Sequence, residues 1–93
     1  MIESFKCKET EHIWDGMMSR KFPQNIQERA LRKLRQLNAA LTLDDLKNPP
    51  GNNLEQLKGN RKGQMSIRIN GQWRICFTWH KERAQQVEIV DYH

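Results

Sequence analysis

Three groups able to hold or move a proton stand side by side at the end of the chain: Asp91, Tyr92 and His93, directly after the apolar run at residues 87–90. The imidazole of His93 titrates near neutral pH and can shuttle a proton. The ring of Tyr92 can stack on a base, and the Asp91 carboxylate can orient a neighbour by hydrogen bonding. Arg74 adds a planar fork that matches phosphate oxygens and can stabilise charge in a transition state. Together these types suit acid–base chemistry at an RNA phosphate. The competing reading gives the terminal residues no task, because chain ends are commonly poorly tied down. His12, beside core positions of a helix, and His80, at a turn after Trp79, are weaker candidates. No cluster of His, Cys and carboxylates has metal-ligand spacing, which predicts no metal. There is neither a Gly-rich phosphate loop nor a Gly-x-Ser-x-Gly motif.

The elements that must position these groups follow from periodicity. "QMSIRINGQWRICFTW" reads as a hairpin. A two-residue Asn-Gly turn would set Ile67 opposite Arg74 and mix core with charge on each face. A three-residue loop ending at Gly71 changes the parity. Ile67 then faces Trp73, Met65 faces Ile75, and Arg68 and Arg74 fall together on the opposite face. Burial of one face favours the second arrangement. The other face then shows Arg68, Arg74, Ser66 and Thr78, with Lys58, Arg61 and Lys62 just upstream. Paired arginines repel, so this group of five cations points to an anion site; solvated charges on an open sheet face are the alternative.

Before the hairpin, "IESFK" is a short candidate strand. Glu9 and Glu11 suit the start of a helix whose apolar stripe is Ile13, Trp14, Met17 and Met18. Pro23 fits the first turn of a second helix, along which Ile26, Ala30, Leu34, Leu37 and Leu41 recur at helical spacing. Its far side carries Arg29, Arg32, Lys33 and Arg35, either an RNA-contacting surface or a solvated one. "TLDDL" reads as a further helical turn capped by Thr42, "KNPPGNN" as a loop, "HKERAQQ" as a turn and "VEIVDY" as the last strand. This order predicts one α+β domain over residues 1–93: a short N-terminal strand, then two helices packed on one face of an antiparallel sheet of three to four C-terminal strands.

Composition narrows the partners. The 93 residues carry 16 Lys+Arg against 11 Asp+Glu, a net charge of +5, and the pI is near 9.6. Such a balance favours an anionic partner such as nucleic acid, an anionic membrane or an acidic protein. Cys7 and Cys76 fit a reduced, cytoplasmic chain. No apolar stretch approaches the length of a signal peptide or membrane span.

"LKGNRKGQMSIRINGQWRICFTW", "NPPGNNLEQLKGNRKGQ" and the terminal "VEIVDYH" resemble the HigB branch of the RelE-like toxins of bacterial type II toxin–antitoxin systems. The most specific parts are "LKG-x-R-x-G-Q", "WRI-x-F" and the final "DYH", and the resemblance covers nearly the whole chain. It implies a compact RelE-like ribonuclease fold and a metal-independent endoribonuclease with no cofactor, which cuts mRNA in the ribosomal A site. The RNA's own 2′-hydroxyl attacks the adjacent phosphate. The family's terminal triplet falls on Asp91, Tyr92 and His93, the Arg of its "WR" on Arg74, and the Lys of "LKG" on Lys58. Some members have a catalytic His shortly before "LKG", where this chain has Glu55. Glu55 is then a base in its place or a surface carboxylate pairing with Lys58, and either Glu55 or His93 is the general base. Arg68, Arg61, Lys62, Arg32 and Lys33 are candidate RNA contacts.

The same resemblance implies a HigA-like helix-turn-helix antitoxin as partner, operator DNA reached only through it, the ribosome and its RNA as target, and no membrane. The free toxin is then a monomer and the complex is compatible with a heterotetramer. Two other readings keep the basic face without the chemistry: a non-catalytic RNA- or ribosome-binding module, and a degenerate toxin acting as an antitoxin-binding corepressor.

Overall fold

Two helices pack on a four-stranded antiparallel sheet in the computed structural model, which describes residues 1–91. The helices are α1 (Lys8–Trp14) and α2 (Gln24–Ala39). The strands are β1 (Glu55–Gln56), β2 (Met65–Arg68), β3 (Trp73–His80) and β4 (Arg83–Asp91), ordered β1-β2-β3-β4 across the sheet. The α+β architecture expected from the sequence is therefore the one observed, with four strands.

Helix α2 forms where the 3.6-residue stripe is cleanest. Ile26, Ala30, Leu34 and Leu37 are buried along it and meet Ile67, Ile75 and Phe77 from the sheet. Pro23 immediately precedes the first helical residue. Leu41 falls beyond the end of α2 and is exposed, so it does not extend the stripe. The first helix is also shorter than its apolar pattern predicts. It ends at Trp14, and Gly16 turns the chain at φ +85, a left-handed conformation that suits glycine. Met17 and Met18 consequently leave the helical period and are exposed, while Ile13 stays in the core. Thr42 caps the 3₁₀ segment Leu43–Lys47 in a reciprocal capping box with Asp45.

The sheet differs from the sequence-based expectation in three ways. The N-terminal segment is not a strand. It makes only two isolated parallel bridges to β4, Ile2 with Ala84 and Phe5 with Val87. The β2–β3 parity is as expected, with Ile67 and Ile75 sharing the core face and Arg68 opposite Arg74. The pairs are shifted by two, however, to Ile67 with Ile75 and Met65 with Phe77. The loop is Asn70-Gly71-Gln72, because the Asn70 side-chain oxygen accepts from the backbone N–H groups of Gln72 and Trp73, both at 2.8 Å. That side chain fixes the turn one residue later than the glycine suggests.

The third difference concerns "HKERAQQ", most of which is strand. Lys81 (φ 50) and Glu82 (φ 67) form the β3–β4 turn in left-handed conformations, as a two-residue hairpin requires. Neither is Gly or Asn, so composition hides it. Gln86 (φ 55) then bulges out of β4, shifting the register between Cys76 and Thr78. The bulge explains why Ala84, Val87 and Ile89 are all buried although they do not alternate strictly.

One loop side chain ties the helical layer to the segment crossing beneath it. Asn52 is fully buried and donates to the Gln36 side chain and to the carbonyls of Leu46 and Asn48, at 3.1–3.2 Å. Its oxygen accepts from Lys33 Nζ. Truncating it removes the partner of the buried Leu46 carbonyl and of less buried groups on Lys33, Gln36 and Asn48. Asn52→Ala is therefore expected to cost about 2–3 kcal/mol, read as a lower urea midpoint at unchanged slope.

Candidate active site

The face of the sheet turned away from α2 carries two cross-strand rows. Register places Glu55 opposite Ser66, Ser66 opposite Cys76 and Cys76 opposite Glu88, so one row runs from a carboxylate on β1 to a carboxylate on β4. The next row is Arg68, Arg74 and Val90. Side chains on directly opposed residues share a face, which brings Glu55, Ser66, Arg74 and Cys76 together.

Arg74 is the centre of this arrangement. The sequence reading put it on an open face, yet it is only 7% exposed. Its Nε donates to Ser66 Oγ at 2.8 Å, its Nη2 donates to the Asn53 carbonyl, and its Nη1 lies 3.7 Å from Glu55 Oε1. Asn53 takes a left-handed conformation (φ 43, ψ 58) just after the Pro50–Asn52 turn, and its carbonyl is the one that meets the guanidinium. A buried guanidinium is tolerable only when its donors find acceptors, and this loop supplies one. Glu55, by contrast, has a side chain 49% exposed. It pairs with Arg74 rather than with Lys58. The site thus presents a fixed cation beside a carboxylate open to solvent.

The five cations grouped from the sequence do not share one site. Arg61 turns to Glu88 at 3.4 Å and to Gln64 at 3.0 Å, and Lys6 also reaches Glu88, at 3.5 Å. Lys58 and Lys62 line a separate shallow cleft with Gln56, Leu57 and Gly59. Arg68 lies with Arg29, Lys33, Gly51, Ile69, Asn70 and Gly71 around an open cleft of about 430 Å³. Arg32 borders the neighbouring hollow with Arg29 and Asn70, and Arg35 is exposed on α2. The split arises because Ser66, Asn53 and Glu55 hold Arg74 and Glu88 and Gln64 hold Arg61, while Arg68 lies where α2 meets the β2–β3 loop.

Asp91 pairs in register with Trp73, on the core-face parity rather than the Arg74 parity, and accepts from Gln72 Nε2 at 3.1 Å. Tyr92 and His93 lie outside the described residues. Asn53 and Glu88 were not singled out from the sequence, and Ser66 was placed on the arginine face without a role. Ser66 had a readable signal, since it sits on the Arg68 parity of β2; the Asn53 carbonyl had none. The local field is legible in the Cys76 thiol. Burial raises it above the ordinary cysteine value, Arg61 and Arg74 pull it down, and Glu88 adds to the rise. Cys76 therefore feels Arg61 and Arg74 together. Among the described residues no group of three or more His, Cys, Asp or Glu is placed to hold a metal ion.

Residues 3–93 match the family model described as the RelE-like toxin of the type II toxin–antitoxin system HigB. Toxin HigB-1 of Vibrio cholerae is 44% identical over 80 residues, spanning 85% of this chain and 84% of that protein. Endoribonuclease HigB of Proteus vulgaris is 30% identical over 93 residues and aligned along the whole of both chains. Among solved structures, the YoeB–YefM complex from Staphylococcus aureus superposes with a TM-score of 0.57 at 20% identity, covering 100% of this chain and 98% of that one. A heterotetrameric YoeB–YefM structure from the same organism gives the same TM-score. At that identity the structural likeness shows the fold.

The buried cation and the exposed carboxylate should respond differently to substitution. Arg74→Ala leaves Ser66 and the Asn53 carbonyl unpaired and is expected to cost about 2–4 kcal/mol. Glu55→Gln removes one arm of a half-exposed pair and is expected to cost less than about 1 kcal/mol. Urea melts of the two variants beside the parent check both values.

Proposed function

The chain belongs to the HigB-like family of RelE-like toxins of type II toxin–antitoxin systems, and on that premise we propose that it is an mRNA endonuclease acting in the ribosomal A site. The observation that carries the reading is the Glu55–Arg74 pair, a solvent-facing carboxylate beside an immobilised guanidinium. Endoribonuclease HigB of Proteus vulgaris, alignable over the whole chain, supports the same activity by its name.

Cleavage by this route uses only groups of the RNA and the protein. A base removes the proton of the 2′-hydroxyl, and that oxygen attacks the adjacent phosphorus. As the new O–P bond forms, charge builds on the non-bridging oxygens, where Arg74 stabilises it. The bond to the 5′-oxygen breaks as an acid donates a proton to it. The products are a 2′,3′-cyclic phosphate and a 5′-hydroxyl. Glu55 and His93 are the two proton carriers, one base and the other acid. Tyr92 stacks on a base next to the cut, Asp91 orients its neighbours, and Lys58 contributes charge at the scissile phosphate. Arg61, Lys62, Arg68, Arg32 and Lys33 contact the RNA backbone, where phosphate contacts position a protein without reading sequence.

As a toxin of a type II system its protein partner is an antitoxin, which we assign to the HigA-like helix-turn-helix class, with operator DNA reached through that partner. The site of action is the cytoplasm, where messages are translated. No helix among the described residues is long and apolar enough to cross a membrane.

An in vitro translation reaction on a defined message tests the proposal. New 5′ ends mapped by primer extension are expected at codon-phased positions, only when ribosomes are present. His93→Gln should lower the cutting rate by about a hundredfold or more, the usual scale for losing a general acid or base, without shifting the melting temperature. Translation blocked with no cuts would instead favour a binding module. No effect on translation or message would leave a corepressor.

A further inference from the structure

The fold neutralises many of its cations locally. Glu88 faces Arg61 and Lys6, Glu3 meets Arg83 at 2.6 Å, and Asp44 meets Lys47 at 3.1 Å. The cleft between α2 and the β2–β3 loop is an exception. Arg29, Lys33 and Arg68 line it from both elements, and among the described residues no carboxylate does. The Arg68 side chain is half-buried and makes no hydrogen bond or ion pair with the described residues.

We propose that this cleft is a second phosphate site, which grips one phosphodiester of the RNA backbone between Arg29, Lys33 and Arg68, next to the point of cleavage. The proposal rests on the ribonuclease reading above and adds a subsite to it. Three features support it. First, the cations are oriented by neutral acceptors. Arg29 Nη1 donates to the Ile69 carbonyl at 3.4 Å, and Lys33 Nζ donates to Asn52 Oδ1. Neutral acceptors fix direction without cancelling charge, so the field of the cleft stays positive. Burial, reinforced by Arg29 and Arg32, already lowers the Lys33 ammonium below the ordinary lysine value, as a like-charge cluster must.

Second, the lining suits a backbone rather than a base. Gly51 and Gly71 stand in the walls and, among the described residues, no aromatic ring does, so these residues offer charge and room but no stacking platform. Third, strand register sets one wall of the cleft beside the active site. Arg68 is the direct cross-strand partner of Arg74. One RNA strand can therefore meet Arg74 at the scissile phosphate and Arg68 at another. The anion also relieves repulsion between the two arginines.

The test measures binding of the full-length protein to a message whose attacking 2′-hydroxyl is methylated, free and on programmed ribosomes, over a range of salt. Arg68→Gln is expected to weaken binding about tenfold and to reduce the salt slope by about one. Gly71→Asp is the second variant. Gly71 lies outside the left-handed region, and a Cβ there would sit 3.6 Å from Arg68 Nη2, so the new carboxylate acts as a built-in competitor. It should reproduce the loss while leaving the urea midpoint equal or higher, which excludes misfolding. Neutral methylphosphonate linkages, introduced singly, identify the source. A linkage that costs the parent affinity but not Arg68→Gln assigns the phosphate to the message. Weaker variants with no sensitive linkage assign it to ribosomal RNA.

A parent that binds neither target, or variants that keep its affinity and salt slope, overturn the proposal. Cleavage of unmodified message is scored separately. Arg68-dependent binding without cleavage supports the subsite and rejects the ribonuclease reading.

Discussion

A guanidinium taken out of water must find an acceptor for its donors, and the burial of Arg74 imposes that demand on the surrounding fold. Ser66 answers from the neighbouring strand, Asn53 from the loop and Glu55 from the edge strand. Each answer fixes an element. Ser66 meets Arg74 only if β2 and β3 keep their register. Asn53 offers its carbonyl from a left-handed turn. Glu55 arrives because β1, two residues long, pairs with β2 at Ser66. The shortest strand of the sheet is thus positioned where its carboxylate serves the site.

The loop that satisfies Arg74 also organises the neighbouring cleft. Asn52 and Asn53 are adjacent, and they face different cations: the Asn52 side chain accepts from Lys33, and the Asn53 carbonyl accepts from Arg74. Asn52 is itself anchored to α2 through Gln36 and to the preceding 3₁₀ segment through Leu46. Two basic centres on different layers are therefore held by one short, well-anchored stretch of backbone. A change in this loop should be felt at both.

Much of this was legible in the sequence, for identifiable reasons. Strict alternation in "MSIRI" and "WRICF" fixed which residues share a face, because a one-residue slip would bury charge. The stripe of α2 and the Thr42 cap were readable on the same footing of period and capping chemistry. The hairpin register was off by two because a side chain, Asn70, sets the loop and no backbone propensity reports that. The β3–β4 turn was hidden because Lys81 and Glu82 adopt a conformation that their types rarely choose. At the site, Arg74 and Arg68 could be named from the alternation of the hairpin, and Glu55 from the family resemblance. Their partners could not, since Asn53 contributes only a carbonyl and Glu88 claims Arg61 across a span of sequence. Grouping five cations by proximity in the chain failed for the same reason: cross-strand neighbours and loop carbonyls, not chain distance, decide where a cation goes.

Arg74 also complicates the usual inference from a lost activity. The group we assign to steady the phosphate is among the most buried polar groups on that face, so on that assignment stability and chemistry draw on the same hydrogen bonds. Glu55 and Arg68 stand apart from it in this respect. Glu55 is half in solvent, and Arg68 has no partner to abandon among the described residues. Their chemistry can be removed with little structural debt. The sheet therefore divides its functional groups by the work they do for the fold. The division follows from burial: the residue that cannot move is the one the chain encloses, and those we assign to meet an incoming RNA are left at the rim.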